Sequence, residues 1–155
     1  MIRAAALLLA LAAPANGREA VGVWQAWGAF READPPRCFA VAEPVRHGTG
    51  AFASVATWPR RGVRNQLALR LSRPVRDGIA PTLSIDERRF SLTAHGQEAW
   101  ASDARTDAAI VAAMRSARSM SVSGVGASGL PFADTYALPG AASAIDAAAL
   151  ACLDR

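Results

Sequence analysis

The chain has no lysine, and it has only two histidines and two cysteines among its 155 residues. All of its basic side chains are therefore arginines, and the formal net charge is a modest +4. The sequence contains no long basic run and no stretch in which basic and aromatic residues alternate. The composition therefore does not indicate a nucleic-acid-binding protein, and we expect no nucleic acid among its partners.

The chain also lacks an apolar run that could cross a membrane as a helix, which takes roughly 20 residues. The apolar run 4–13 is much shorter, follows Arg3 and leads into Ala13-Pro14-Ala15, a small-x-small pattern that signal peptidase cleaves. We therefore expect residues 1–15 to be a signal peptide that is cleaved near Ala15. The mature protein would then be periplasmic or secreted, with no transmembrane segment.

Patterns typical of catalytic and metal sites are missing as well. His47 and His95 both stand near glycine, and the sequence has no C-x₂-C, H-x₃-H, G-x-S-x-G or H-E-x-x-H spacing. The segment 124–129 matches the letters G-x-G-x-x-G, but a proline and a predicted strand follow it where a dinucleotide site needs a helix. We expect no catalytic residue, no metal and no cofactor; an exported hydrolase whose site is assembled only in the fold is the alternative.

The two cysteines that are present stand near the two ends of the predicted mature chain, residues 16–155, whose length suits a single domain. Because an exported protein meets oxidising conditions, we expect Cys38 and Cys152 to form a disulfide. A nucleophilic Cys38 beside a histidine is the competing interpretation, but the apolar alternation at 39–41 is typical of a strand and favours the structural bridge.

Short alternating apolar segments separated by turns predict a mainly β (α+β) fold, a single-domain antiparallel β sandwich or open barrel. Two short helices are predicted, about 104–118 with Thr106 as N-cap and about 142–153 with Ser143 near its start. The aromatic segment 22–32 has no strand assigned to it. The predicted strands are 38–44, 52–58, 66–71, 82–85, 89–92, 119–122 and 132–138, with 82–92 as a hairpin.

One turn has the character of a binding site. Arg60, Arg61 and Arg64 stand beside Trp58 in a predicted connection between two strands. Planar guanidinium groups next to an aromatic ring can hold phosphate, sulfate or carboxylate groups. The alternative is a turn whose charges only keep a sheet edge in water. We expect the four tryptophans to pack within the core and sheets rather than to form a ligand cage.

The C-terminal third resembles the invasion-associated locus B family of alphaproteobacteria. The resemblance lies in 107–110, in 118–122 and in 134–145, where a helix with a basic end leads to a strand, a loop, a strand ending in Leu-x-Gly and a short helix. With the signal peptide, the early tryptophans and Cys38, it extends over most of the mature chain. Family members often carry a cysteine pair before the central helix, which 94–101 lacks, so the chain resembles a divergent branch.

The resemblance implies an exported, mainly β protein without known catalytic residues, in a family named after a member that takes part in host-cell invasion. From it we expect a non-enzymatic envelope protein, a binding or accessory module. Its partners are not identified by the sequence. Envelope polysaccharide, lipid head groups and another envelope protein are the candidates, and a role in invasion does not follow from the resemblance.

Overall fold

The computed structural model describes residues 17–153, so the predicted signal peptide 1–15 lies outside the described residues. The described part is mainly β and carries two α-helices, as the sequence predicted. The strands are β1 (Arg18–Trp24), β2 (Trp27–Ala33), β3 (Pro36–Ala42), β4 (Phe52–Trp58), β5 (Val63–Arg70), β6 (Thr82–Ile85), β7 (Arg88–Ser91), β8 (Thr93–His95), β9 (Glu98–Trp100), β10 (Ser119–Val125) and β11 (Pro131–Ala137). The helices are α1 (Ala104–Met114) and α2 (Ala141–Ala151).

The strands form two antiparallel sheets. The larger sheet has seven strands in the order β1-β2-β3-β4-β5-β9-β8, and the smaller has four in the order β11-β10-β6-β7. One hydrophobic core includes residues of both sheets and both helices. Helix α2 packs against β1 to β5, while α1 packs against β5, β6 and β7. This arrangement confirms the predicted antiparallel fold class with two helices.

The alternation predicted for β5 is confirmed. Leu67, Leu69 and Leu71 are fully buried, whereas Ala68 and Arg70 between them are only partly buried. Side chains of a strand point alternately to its two faces, so the three leucines lie on the face that the core covers. We call the opposite face of the seven-stranded sheet the outer face.

Two buried carboxylates link β5 and the residues after it to helix α1 and to the smaller sheet by hydrogen bonds. Asp107 of α1 accepts a hydrogen bond from the backbone N–H of Leu67 at 2.8 Å, which holds the helix on β5. Asp134 of β11 accepts one from the N–H of Ser72 at 2.8 Å, which joins the small sheet to the end of β5. Burial raises the pKa of Asp107 above its usual value, and the hydrogen bond from Leu67 only partly opposes this.

The first helix begins at residue 104, as predicted, but its N-cap and its end differ from the prediction. Thr106 is not the N-cap; Asp103 is, and its carboxylate accepts from the backbone N–H of Thr106 at 2.7 Å, a bond that lowers the pKa of Asp103. The helix ends at Met114 rather than near Arg118. The carbonyl of Arg118 instead accepts from the N–H of Leu138 at 3.0 Å, because the chain there is already entering β10.

The second helix begins at Ala141, one residue before the predicted start, and its N-cap is Gly140 rather than a residue near Ser143. Gly140 has φ of 91°, and a Cβ there would lie 2.1 Å from the backbone oxygen of Trp24, so no other residue fits. Ile145 and Cys152 are buried on one face of this helix, whereas Ala149 between them is only partly buried.

The hydroxyl of Tyr136 offers a test of hydrogen bonding in the core. Tyr136 is fully buried, and its hydroxyl has no hydrogen-bond partner among residues 17–153, while burial raises the pKa of the phenol. An unpartnered buried hydroxyl costs free energy, so Tyr136→Phe should leave stability unchanged or increase it by about 1 kcal/mol. Urea denaturation measures this difference. A loss of about 1 kcal/mol or more would mean that the hydroxyl is bonded after all.

Candidate functional site

The predicted arginine turn is a short 3-10 helix, Pro59–Arg61, which joins β4 to β5. Pro59 suits its first position because the ring sets a helical φ. Gly62 follows with φ of 64°, and its N–H donates to the carbonyl of Pro59 at 3.2 Å. Glycine adopts this left-handed conformation without strain, so the tight connection predicted from the sequence forms as expected.

Arg60, Arg61 and Arg64 are exposed, and none of them forms an ion pair with any residue from 17 to 153. Five of the other twelve arginines in this range are paired. The paired ones are Arg18 and Arg37 with Glu32, Arg31 with Glu19, Arg70 with Glu98, and Arg115 with Asp146. The turn therefore concentrates positive charge without an internal counter-ion in the described chain.

A cleft of about 350 Å³ lies beside this turn. Trp58 and Arg64 line one side of it, and Leu153 and Cys152 at the end of α2 line the other. Asn65 adds a polar side chain to the lining. The cleft therefore combines an aromatic ring, a guanidinium group and an amide, which suits a ligand with anionic and hydrogen-bonding groups.

The disulfide beside the cleft is confirmed. Cys38 of β3 and Cys152, the C-cap of α2, are bonded, with their Cα atoms 5.9 Å apart, and both residues are buried. The bridge fixes the end of α2 against the strand next to β4. It therefore holds one wall of the cleft in place, and it leaves no free cysteine in the described chain.

Trp58 is part of a row of alternating guanidinium groups and rings on the outer face. Arg61 lies over the Trp58 ring at 5.5 Å, and Arg37 lies over the same ring at 5.0 Å. Arg37 also lies over the Phe39 ring at 4.4 Å, and Arg18 lies over Phe39 at 5.4 Å. These are cation–π distances, so the row, here called the arginine–aromatic row, orders both kinds of side chain.

Glu32 stabilises one end of this row. Its carboxylate accepts from Nε of Arg18 at 2.8 Å and from Nε of Arg37 at 3.0 Å. Partial burial alone would raise the pKa of Glu32, but the hydrogen bonds and positive charges of the two arginines outweigh burial and lower it. One carboxylate thus serves two guanidinium groups, and the row keeps a net positive charge.

The sequence did not reveal this row, because its members come from β1, β3, β4 and the turn. No stretch of the sequence alternates basic and aromatic residues, yet the folded sheet places such residues next to one another. Guanidinium groups already lie on the faces of Phe39 and Trp58, and Phe39 is only 6% exposed. These two rings are therefore partly covered by guanidinium groups of the protein itself.

The two histidines are exposed. Nδ1 of His47 lies 3.1 Å from a carboxylate oxygen of Glu43, four residues earlier, and His95 ends the short strand β8. Neither histidine lines any of the four clefts described in the structure. Within 17–153 no group of three or more His, Cys, Asp or Glu side chains is placed to hold a metal ion.

The tryptophans divide between core and surface. Trp27 is fully buried and Trp24 packs against the core, as predicted, whereas Trp58 lies in the arginine–aromatic row and Trp100 is 38% exposed on the outer face. Among the described residues, no helix is both long and apolar enough to span a membrane.

Comparison of the chain with protein-family models, with curated proteins and with solved structures finds no significant match.

Proposed function

We propose that this protein is an exported, non-enzymatic binding module of the cell envelope that recognises anionic groups through its arginine turn. The observation that carries the proposal is the set of three exposed arginines, Arg60, Arg61 and Arg64, without an ion-pair partner in the described chain. Trp58 and the adjoining cleft of about 350 Å³ add an aromatic contact and a concave surface. Carboxylate, phosphate and sulfate groups match guanidinium geometry.

Export and family membership are part of this proposal. The disulfide between Cys38 and Cys152 suits a protein that matures under oxidising conditions. The order of α1, β10, β11 and α2 agrees with the plan expected from the resemblance to the invasion-associated locus B family. N-terminal sequencing of native protein tests export directly: a start near Asn16 supports it, and a chain that begins at Met1 in the cytoplasm contradicts it.

The triple variant Arg60→Gln, Arg61→Gln and Arg64→Gln tests the turn. Retention of the wild-type protein on an immobilised carboxylated polysaccharide should be strong at low ionic strength and should fall with added salt, because exposed charges are screened. Each lost charge-assisted hydrogen bond weakens binding, so the triple variant should bind roughly 100-fold less tightly. Its stability should stay within roughly 0.5 kcal/mol of the wild type, as is usual for surface changes.

The matched control changes the same amount of charge elsewhere. Arg73, Arg76 and Arg89 are exposed and form no ion pair within residues 17–153. Their triple glutamine variant has the same net charge as the test variant and should bind like the wild type. Equal losses in the two triple variants would show that only net charge matters, and the turn would then be a solvated connection without a binding role.

A further inference from the structure

The outer face of the seven-stranded sheet holds a second concave site, away from the cleft beside α2. This trough has a volume of about 540 Å³, within the range of ligand pockets. Phe30, Phe39 and Phe52 are its aromatic lining, and Val41 and Ser54 lie between them on neighbouring strands. We call it the outer trough.

Strand register builds the outer trough. Gly28 of β2, Val41 of β3 and Ser54 of β4 are cross-strand partners, so they form one row on the outer face. Gly28, at one end of this row, has no side chain and leaves room there. A Cβ at Gly28 would lie 2.9 Å from the ring of Phe30, so this ring lies against the glycine backbone and forms part of the lining.

Ser54 gives the trough a polar floor. This residue is only 8% exposed, and its hydroxyl makes no hydrogen bond to any described residue. Unlike the enclosed hydroxyl of Tyr136, the Ser54 hydroxyl is not sealed from solvent, so it faces the opening of the trough. A ligand that offers a hydroxyl or carbonyl oxygen at this position can hydrogen-bond to it, whereas a plain hydrocarbon chain cannot.

Charged side chains at the edge connect the trough to the arginine turn. Arg18 and Arg37 line one part of it and Glu43 another. Arg37 also lies over Trp58, which in turn lies beneath Arg61 of the turn. The arginine–aromatic row therefore runs from the trough to the turn along one face of the sheet.

We propose that the outer trough holds a sugar ring of an acidic polysaccharide whose neighbouring anionic groups bind the arginine turn. A sugar ring has apolar C–H faces, which match Phe30 and Phe52, and a polar edge, which matches Ser54 and the charged groups around the trough. The positive charge along the row complements an acidic polymer. The binding of anionic groups by the arginine turn rests on the proposed function. The binding of a sugar ring in the outer trough rests on a separate observation, the hydroxyl of Ser54.

Three probes distinguish binding of the sugar ring from attraction to negative charge alone. Alginate carries carboxylates on sugar rings, polyacrylate carries them on a hydrocarbon backbone, and phosphatidylglycerol vesicles present lipid phosphate. Ser54→Leu fills the floor of the trough, and Ser54→Ala removes only the hydroxyl. Trp100→Ala is the control, because Trp100 lies in the same outward-facing row as Ser54 but outside the trough.

We expect Ser54→Leu to weaken alginate binding by about tenfold or more, and Ser54→Ala to weaken it by severalfold. Polyacrylate binding should be unchanged in both, and Trp100→Ala should match the wild type with every probe. Circular dichroism and thermal melting of each variant verify the fold, and Ser54→Ala keeps the test valid if the leucine variant does not fold.

The two proposals fail in different ways. If both Ser54 variants bind alginate like the wild type while the arginine variant loses it, the trough proposal is overturned and the arginine turn stands. If the arginine variant keeps alginate binding while the Ser54 variants lose it, the turn is overturned and the trough stands. Equal losses of alginate and polyacrylate in the Ser54 variants, or binding to vesicles but not to alginate, overturn the sugar assignment.

Discussion

Replacing both Cys38 and Cys152 with alanine is expected to lower the melting temperature by roughly 10–20 °C. The bridge joins residues 114 positions apart, so it closes most of the described chain into one loop. On the chain-entropy account, a loop of this length stabilises the folded state by about 4–5 kcal/mol, because the unfolded chain loses conformational freedom. A typical domain has a net stability of about 5–15 kcal/mol, so the loss is a large share.

Reduction of the wild-type protein is the matched experiment, because it breaks the bond without changing a side chain. Reduced wild type and the double alanine variant should melt together, well below the oxidised protein. Hydrogen exchange should show that α2 loses protection first, since Cys152 is its C-cap. Oxidised and reduced proteins that melt within a few degrees of each other would contradict this prediction.

Much of the fold could be predicted wherever the chain alternates clearly. β4 has the predicted bounds 52–58, and the hairpin of β6 and β7 forms around Asp86 and Glu87. The three buried leucines of β5 show why. Because apolar residues recur at every second position, only one face of the strand can be the buried one. Helix boundaries were less accurate, because Asp103 and Thr106 are both good N-caps by type and only the observed hydrogen bond distinguishes them.

The hairpin of β1 and β2 was missed, because its local signals contradict a strand. β1 is an edge strand with mostly exposed residues, so it shows no alternation of buried and exposed positions. Gly22 and Gly28 also lower strand propensity. The ring of Trp24 lies against Gly22, where a Cβ would be only 2.6 Å from it, so a neighbouring aromatic covers the glycine backbone. Strands β8 and β9 have three residues each and were missed for their shortness.

The candidate sites also differ in how far they could be predicted from the sequence. The arginine turn is contiguous in sequence, so composition and turn chemistry alone indicated it. The arginine–aromatic row and the outer trough combine residues from separate strands, such as Phe39 beside Arg18 and Ser54 beside Val41. Only the pairing register brings them together. A single sequence without known pairing could not predict either one.

The second large effect is expected from Trp27, which links the two sheets. This residue is fully buried in β2, and its indole N–H donates to the carbonyl of Ala137, the last residue of β11, at 2.8 Å. Trp27→Ala leaves a large cavity and an unpartnered carbonyl, so it should cost about 3–5 kcal/mol of unfolding free energy. Trp27→Phe keeps an aromatic ring and loses the hydrogen bond, so its cost should be smaller.

Urea denaturation of the two Trp27 variants, with Trp100→Ala as the surface control, separates these contributions. Trp100 is 38% exposed on the outer face, so its replacement should cost about 1–2 kcal/mol, clearly less than the replacement of the fully buried Trp27. Similar values for Trp27→Ala and Trp100→Ala would contradict the buried position of Trp27. If Trp27→Phe costs as much as Trp27→Ala, the hydrogen bond to Ala137 stabilises the junction of the sheets more than the packing of the indole ring does.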